Sequence, residues 1–543
     1  MSADIDPRRL RRAEGLDRTL GELVELRADD AGGRTVLRSG DGRSLTFAQL
    51  AGRVGCVRAL LAGRGLRRGD RVALVLRNTL SYPVAWLGVT SAGMVAVPVN
   101  KRLGPVDARY LIDHSDARLV LADDATLPLV RDVAAGLDRD IAVELVDDDA
   151  GWPRSGDGRR VAPADVPAGA LSNIQYTSGT TGFPKGCMLS HRFWQTMAWG
   201  MAGVMGLDGD DVLLTAQPFS YIDPLWNTAA ALWSGAELVV LDGFHPSTFM
   251  RSVAEHHVTA FYCLATMPLL LLRQPPTDHD REHRVERVHC SGIPRHQHAA
   301  LEHRWGVPWF ELYGMTETGL NIAVFPDEHD ELVGSGSMGS VVGHCEARIA
   351  DAEGREVPDG EVGELQLRGV GFMGGYHDDP DATASFFAGG WAHTGDLAVR
   401  DADGRFTLRG RRKDMIRRAG ENVAAFEVEA MLVNHPAVLE CAVVGEPDPD
   451  VEEELRAVVV PVDGNRPDAA ELRGFLAKRL ACFKVPRYWE FRTELPHTPS
   501  ERVAKHKLGP PAHELIDLAT PLTSAMLPPV TGAVGRPCLR QPR

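Results

Sequence analysis

The sequence predicts an α/β protein: a large N-terminal region of mainly parallel sheets packed with helices, followed by a smaller α+β unit. Three observations predict this. Short β-branched runs alternate with Ala- and Leu-rich stretches of helical spacing over the first four hundred residues, the rhythm of βαβ units. Asp-Gly and Glu-Gly pairs then punctuate short strands, the signature of hairpins. After about residue 411 the pattern changes again. In order, Phe47 to Ala62 has helical spacing, and Arg71 to Leu76 (RVALVL), Val95 to Val99 (VAVPV) and Ala117 to Ala122 (ARLVLA) are buried-strand patterns. Leu238 to Leu241 and Ala260 to Cys263 continue the series. Glu346 to Leu367 carries the turn pairs Glu353-Gly354 and Asp359-Gly360, and the turn Asp401 to Gly404 precedes Phe406 to Gly410. Val438 to Gly445 and Tyr488 to Phe491 are strand patterns around a helix pattern, Asp468 to Leu480. From Gly509 onward Pro, Thr, Ser and Ala dominate, the composition of a disordered or loosely attached tail.

A chain of 543 residues is long enough for three or four folding units. Lys plus Arg number 59 and Asp plus Glu 74, a net charge of −15, which argues against general nucleic-acid binding. The fractions of 44% hydrophobic and 24% charged residues are those of a globular protein, and exclude a collagen or a mostly disordered chain. Cys56, Cys187, Cys263, Cys290, Cys345, Cys441, Cys482 and Cys538 form no CxxC or CxxH pair, so neither a disulfide framework nor a zinc site is expected. Arg8, Arg9, Arg11 and Arg12 are followed by no apolar run, and the apolar stretch Leu264 to Leu272 contains Pro268 and is too short to span a bilayer. A soluble cytoplasmic protein with no membrane span is the expectation.

The strongest local signal is Tyr176 to Gly186, YTSGTTGFPKG. Gly179, Gly182 and Gly186 let the backbone approach an anion, so that successive amides can face phosphate oxygens. Thr177, Ser178, Thr180 and Thr181 add hydroxyl donors, and Lys185 adds a point charge. No hydroxyl directly follows the lysine, so this is not the GxxxxGK[ST] loop.

This loop resembles the phosphate-binding loop of the adenylate-forming (ANL) enzymes, which include acyl-CoA synthetases, peptide-synthetase adenylation domains and luciferases. Three further stretches resemble that family in order and spacing: Tyr313 to Gly319 (YGMTETG), Thr394-Gly395-Asp396, and Gly410 to Val423 (GRRKDMIRRAGENV). The likeness runs from about residue 30 to 508. It implies an N-terminal AMP-binding domain at 1–409 with a small β-barrel-like subdomain, a mobile C-terminal domain at 410–508, and a tail at 509–543. It also implies ATP or acyl-AMP, CoA and Mg2+ as ligands, and a carboxylic acid as substrate.

By motif match, Thr177, Ser178, Gly179, Thr180, Thr181, Gly182 and Lys185 would line the phosphates, Thr316 would touch the α-phosphate, and Glu317 would carry magnesium. Asp396 would accept the ribose hydroxyls with Arg411 reaching the same ribose. Tyr313 would stack on adenine beside Gly314, a buried core tyrosine being the competing reading, with Gly292 of Cys290 to Pro294 (CSGIP) near by. Lys413 falls at the hinge, and Gly420 at the tunnel where the thiol arm passes. The cluster Arg411, Arg412, Lys413, Arg417 and Arg418 is either a solvated loop or a cation site for the CoA phosphates.

One departure stands out. Relatives carry Gly-Lys near the C-terminus, where the lysine bridges the reacting carboxylate and phosphate. The matching positions in Leu495 to Leu508, LPHTPSERVAKHKL, are Glu501 and Arg502. An arginine fork is wider and planar, a poor replacement for a compact point charge. Lys505 could substitute only by a register shift. The implied enzyme is an acyl-CoA ligase in which thioester formation survives and adenylation is weak, a separate ligase supplying the adenylate. Two alternatives stand: a complete two-step synthetase using Arg502, and a non-catalytic nucleotide- or acyl-adenylate-binding protein. Phe219, Ser220, Tyr221, Trp226, Met267 and Met315 are the candidate acyl pocket and suit a hydrophobic acid, although core packing is an equal explanation for Trp226 and Met267.

Overall fold

A computed structural model describes residues 16–146, 161–177, 184–264, 266–418, 421–448, 452–462, 467–497, 503–512 and 515–518. The chain forms two compact units. The larger comprises residues 1–348, 366–393 and 404–406, and the smaller comprises 349–365, 394–403 and everything from Thr407.

The larger unit carries two sheets. In the first, the strands Ala142–Leu145, Ala117–Ala122, Arg71–Val75, Val95–Pro98 and Leu171–Thr177 are neighbours in that order, all parallel, and Lys185–Ser190 closes it antiparallel. The strand residues at its centre are almost wholly buried, as expected of a parallel sheet covered by helices. In the second, Thr35–Ser39, Glu237–Val240, Val212–Thr215, Ala260–Leu264, Arg287–Ser291 and Trp309–Met315 are parallel, and Gly319–Ala323 and Ser337–Val341 continue antiparallel. The expected strands and the Phe47–Gly63 helix are therefore present, that helix opening at a Thr46 cap with Gln49 completing the box.

Cys345–Ala350, Val362–Gly369, Ala392–Arg400 and Phe406–Arg411 lie side by side in that order. The expected barrel-like subdomain is corrected here. Cys345–Ala350 is the end of its sheet, so the strands form an open run and not a closed barrel. The short turns allow hairpins, but closure also needs tilt and stagger that no turn pair encodes.

In the smaller unit, Val438–Asp448 and Glu452–Pro461 form a long antiparallel ribbon. Tyr488–Phe491 adds parallel to it, Ile516–Asp517 antiparallel at the edge, and the helices Ala425–Leu432 and Ala469–Ala477 pack on it around Trp489 and Leu455. Among the described residues the cysteines are free and no helix is long and apolar enough to cross a membrane.

Three of the buried imidazoles of the larger unit are held well below the ordinary range. Burial pushes His191 down to about 4, His289 to about 3 and His344 to about 4. Their folded pKa values lie below the ordinary 6.5, so the unfolded chain binds more protons below pH 6.5 and stability falls as pH drops through that range. We expect Tm to fall between pH 7 and pH 5, each histidine contributing a slope of up to about 1.4 kcal/mol per pH unit. H289F should flatten the profile by one histidine's share. An unaltered Tm in wild-type protein at pH 5 would contradict this.

Candidate functional site

The phosphate-loop motif sits on a hairpin. Thr177 ends one strand, Lys185 begins the next, and the two are paired directly. Ser178, Gly179, Thr180, Thr181 and Gly182 lie outside the described residues. The stem is held from several sides. The Tyr176 hydroxyl and His114 Nδ1 are 2.8 Å apart, the Tyr110 hydroxyl donates to Pro184 O, and the His377 amide donates to Gly186 O at 2.8 Å. Behind the strand, Trp86 Nε1 donates to Asn173 Oδ1 at 3.0 Å, and Gln175 Nε2 donates to Ser220 O at 2.5 Å. A ladder of buried amides thus links the stem to the expected acyl-pocket segment.

Thr316 and Glu317 occupy the turn of a second hairpin, Trp309–Met315 with Gly319–Ala323, in which Met315 faces Gly319. A Cβ on Gly314 would overlap the Gly319 carbonyl, and Gly319 has φ +71°, so both positions require glycine. The turn is tied by Thr318 Oγ1 donating to Asn321 Oδ1 at 2.6 Å. Glu317 is buried, and one carboxylate oxygen accepts the Tyr376 hydroxyl at 3.0 Å. Tyr376 also lies under the Lys185 ammonium, 5.1 Å from ring centroid to Nζ, and Asp379 Oδ2 is 3.8 Å from that nitrogen. Neither Tyr376 nor Asp379 was singled out from the sequence. The only local signal, Asp379-Pro380, marks a helix N-terminus, which it is.

Beside this hairpin, Gly292 has φ +95°, and the amides of Gly292 and Ile293 both donate to the Glu311 carboxylate at 2.6 Å. Burial raises Glu311 to about 8 against the pull of those two amides. Glu311 too was missed from the sequence. Tyr313 is buried on the same strand.

The acyl-pocket candidates divide. Phe219 stacks on Tyr82 with centroids 4.8 Å apart, and Trp226 meets Tyr262 edge-on at 5.3 Å, both nearly inaccessible, so these two are core residues here. Met267 is buried against Gln217 Nε2, 3.6 Å from its sulfur. Ser220 Oγ is buried without a hydrogen-bond partner among the described residues, and the Tyr221 hydroxyl accepts from Asn100 at 2.8 Å. Met315, half-buried, adjoins the Thr316 turn.

In the smaller unit, Asp396 is buried within the strand Ala392–Arg400, directly after Gly395, which has φ +70°, and Arg411 Nε lies 2.9 Å from Asp396 Oδ1. The Gly395 amide donates to Glu364 Oε1 at 3.1 Å, and Arg412 is 3.8 Å from the other Glu364 oxygen. Partial burial lowers the Lys413 pKa against Asp414. Arg418 is a strut, paired with Glu454 and donating to Phe483 O at 2.9 Å, so three of the five basic-cluster residues face carboxylates. Gly420, Glu501 and Arg502 lie outside the described residues. Lys505 is described: its Nζ is 2.7 Å from Glu429 Oε1 and 3.9 Å from Asp414 Oδ2.

The larger unit also brings together His298, Glu302 and His329, whose possible ligand atoms lie within 4.8 Å of one another. Their partners account for the arrangement without a metal. His298 Nε2 meets Trp309 O at 2.8 Å while Nδ1 accepts the Gly334 amide, and both nitrogens of His329 face carboxylates. His329 is thereby raised by its hydrogen bond to Glu302. Burial works against ionisation of Glu302, but donors from His298, His329 and Trp309 hold it at about 2.

Comparison with known proteins identifies the family. The family described as AMP-binding enzyme matches residues 24–377, and its C-terminal domain matches 427–502. The chain is similar to a sulfoacetate–CoA ligase of Cupriavidus necator, 35% identical over 498 residues covering 90% of this chain and 97% of that one. It is similar to a feruloyl-CoA synthase of Amycolatopsis, 34% identical with coverage of 90% and 97%. Among solved structures it is similar to ATP-bound MatB from Rhodopseudomonas palustris, with TM-score 0.81, 28% identity and coverage of 90% and 98%.

Proposed function

The chain belongs to the AMP-binding, adenylate-forming (ANL) enzyme family, and from that premise we propose that it is an acyl-CoA ligase for a hydrophobic carboxylic acid, competent mainly in the thioester half-reaction. The relatives' activities support CoA thioester formation. The bias between half-reactions rests on Arg502, which stands where relatives carry the lysine. Lys505, three positions on, is paired with Glu429.

In the first half-reaction, a substrate carboxylate oxygen attacks the α-phosphorus of ATP and pyrophosphate leaves. Lys185 and the hydroxyls of the glycine-rich loop bind the phosphates, and the Thr316 hydroxyl contacts the one that reacts. Asp396 accepts both ribose hydroxyls, since a carboxylate can take two donors. Arg411 fixes the direction of that carboxylate. Glu317 fits a divalent cation: it is a buried carboxylate oxygen donor on a rigid turn, the ligand type Mg2+ prefers. When bound, the cation neutralises charge on the phosphate oxygens. Arg502 offers its charge through a wide planar fork, a poorer match than a compact ammonium for a bridge between two anions. In the second half-reaction, a thiol sulfur attacks the acyl carbonyl and AMP leaves, with Lys413 at the hinge and Gly420 at the thiol passage. Arg502 has no part in that step. A separate ligase would then supply the adenylate.

A second reading, a complete two-step synthetase using Arg502, is favoured by the likeness to ligases across nine-tenths of the chain. Pure protein with a panel of acids, ATP and Mg2+ separates the two. Our reading expects pyrophosphate release to be at least about a hundredfold slower than thioester formation from a preformed acyl-adenylate and CoA. Matched rates would favour the complete synthetase, and no thioester from the adenylate would remove both.

A further inference from the structure

Residues 373–379 stitch together two parts of the site that the sequence keeps far apart. The Met373 amide donates to Glu317 O at 2.8 Å. Gly374 and Gly375 exchange backbone hydrogen bonds with Met188, Tyr376 forms a bridge with Cys187, and the His377 amide donates to Gly186 O. The same segment therefore holds the strand returning from the phosphate loop and the turn bearing Glu317.

Tyr376 reaches both with its side chain. Its hydroxyl donates to Glu317 Oε1 at 3.0 Å, and its ring face lies 5.1 Å from Lys185 Nζ. Phe386 packs edge-on against the ring at 5.8 Å, and the Tyr376 amide is held by Thr383 Oγ1 at 2.8 Å, so the ring itself is fixed. Binding one oxygen of a carboxylate fixes the carboxylate plane and hence the direction of the other oxygen. A cation over a tyrosine face is attracted to it.

We propose that Tyr376 is a positioning residue: its hydroxyl orients the Glu317 carboxylate toward a divalent cation, and its ring holds the Lys185 ammonium over its face. This rests on the reading of Glu317 as the carboxylate for that cation. The hydroxyl and the ring do separable work. Y376F removes only the hydroxyl, and Y376L removes both.

The test uses the full chain with Mn2+ as probe and α,β-methylene-ATP, which cannot react at the α-phosphate. Mn2+ binding to the protein–nucleotide complex is read by electron paramagnetic resonance, and nucleotide binding without metal by calorimetry. Y376F is expected to weaken Mn2+ about tenfold and leave metal-free nucleotide affinity unchanged, as for a lost hydrogen bond to a charged group. Y376L is expected to weaken both. If Y376F folds poorly, 3-fluorotyrosine at 376, a similar shape with a stronger donor, should hold Mn2+ at least as tightly as wild type, and a weaker hold would overturn the proposal. E317Q is measured in parallel. Normal Mn2+ binding by Y376F with weak binding by E317Q overturns the role of Tyr376 alone. Normal binding by both overturns the reading of Glu317 on which it rests.

Discussion

R502K is expected to raise pyrophosphate release about a hundredfold while leaving thioester formation from a preformed acyl-adenylate unchanged. A preorganised cation between two anions contributes about 3 kcal/mol to such a transition state, which corresponds to that factor. Lysine restores a compact ammonium where the arginine fork spreads its charge over a plane. Among the described residues on either side of this position, the Ala504 amide donates to Pro496 O at 2.7 Å and Val503 forms a bridge with His497. The two half-reactions must be followed separately, since a change in overall turnover would not tell them apart. Equal pyrophosphate rates for R502K and wild type would show that Arg502 already does this work.

D396A should damage both half-reactions, in contrast. Adenylate and ATP carry the same ribose, and Asp396 is expected to accept two of its hydroxyls in each. Hydrogen bonds to a charged group contribute about 1.5–3 kcal/mol apiece, so losing two predicts an increase in KM for ATP of roughly a hundredfold or more. The acyl-adenylate should weaken in parallel. Arg411 would lose its partner as well, but it is partly exposed and water can replace the carboxylate, so folding should be little affected. Unchanged affinity for AMP, measured by calorimetry, would remove Asp396 from the ribose site.

The strands at 71, 95, 117, 260 and 488 were legible because a buried parallel strand needs an apolar run, which is a local property of the chain. The glycine-rich segment between Thr177 and Lys185 was legible as a loop, because glycine, proline and hydroxyls break regular structure whatever surrounds them; that its stem is a hairpin was not read from the sequence. Tyr376 was not legible. Its two partners stand 59 and 191 positions away, and nothing in GGYHDDP distinguishes a tyrosine beneath a lysine from one in a core. Glu311 was hidden likewise, its two amide donors coming from the neighbouring strand's end. The role of Lys505 was open from sequence, because only the fold brings Glu429 to it. The barrel expectation failed on the same ground, since sheet closure depends on strand stagger and not on turn residues.

The end of the smaller unit has a practical consequence for anyone trimming or fusing this chain. Arg456 and Arg492 donate to the carbonyls of Gly509 and Leu508, Ala512 donates to Glu490, and Ile516–Asp517 covers the flank of Tyr488–Phe491. Shortening the polypeptide to residue 502 would strip the Gly509 carbonyl from a deeply buried guanidinium and uncover the row of amides on that flank, a template for intermolecular strand addition. A reporter appended beyond Leu518 respects all of these contacts.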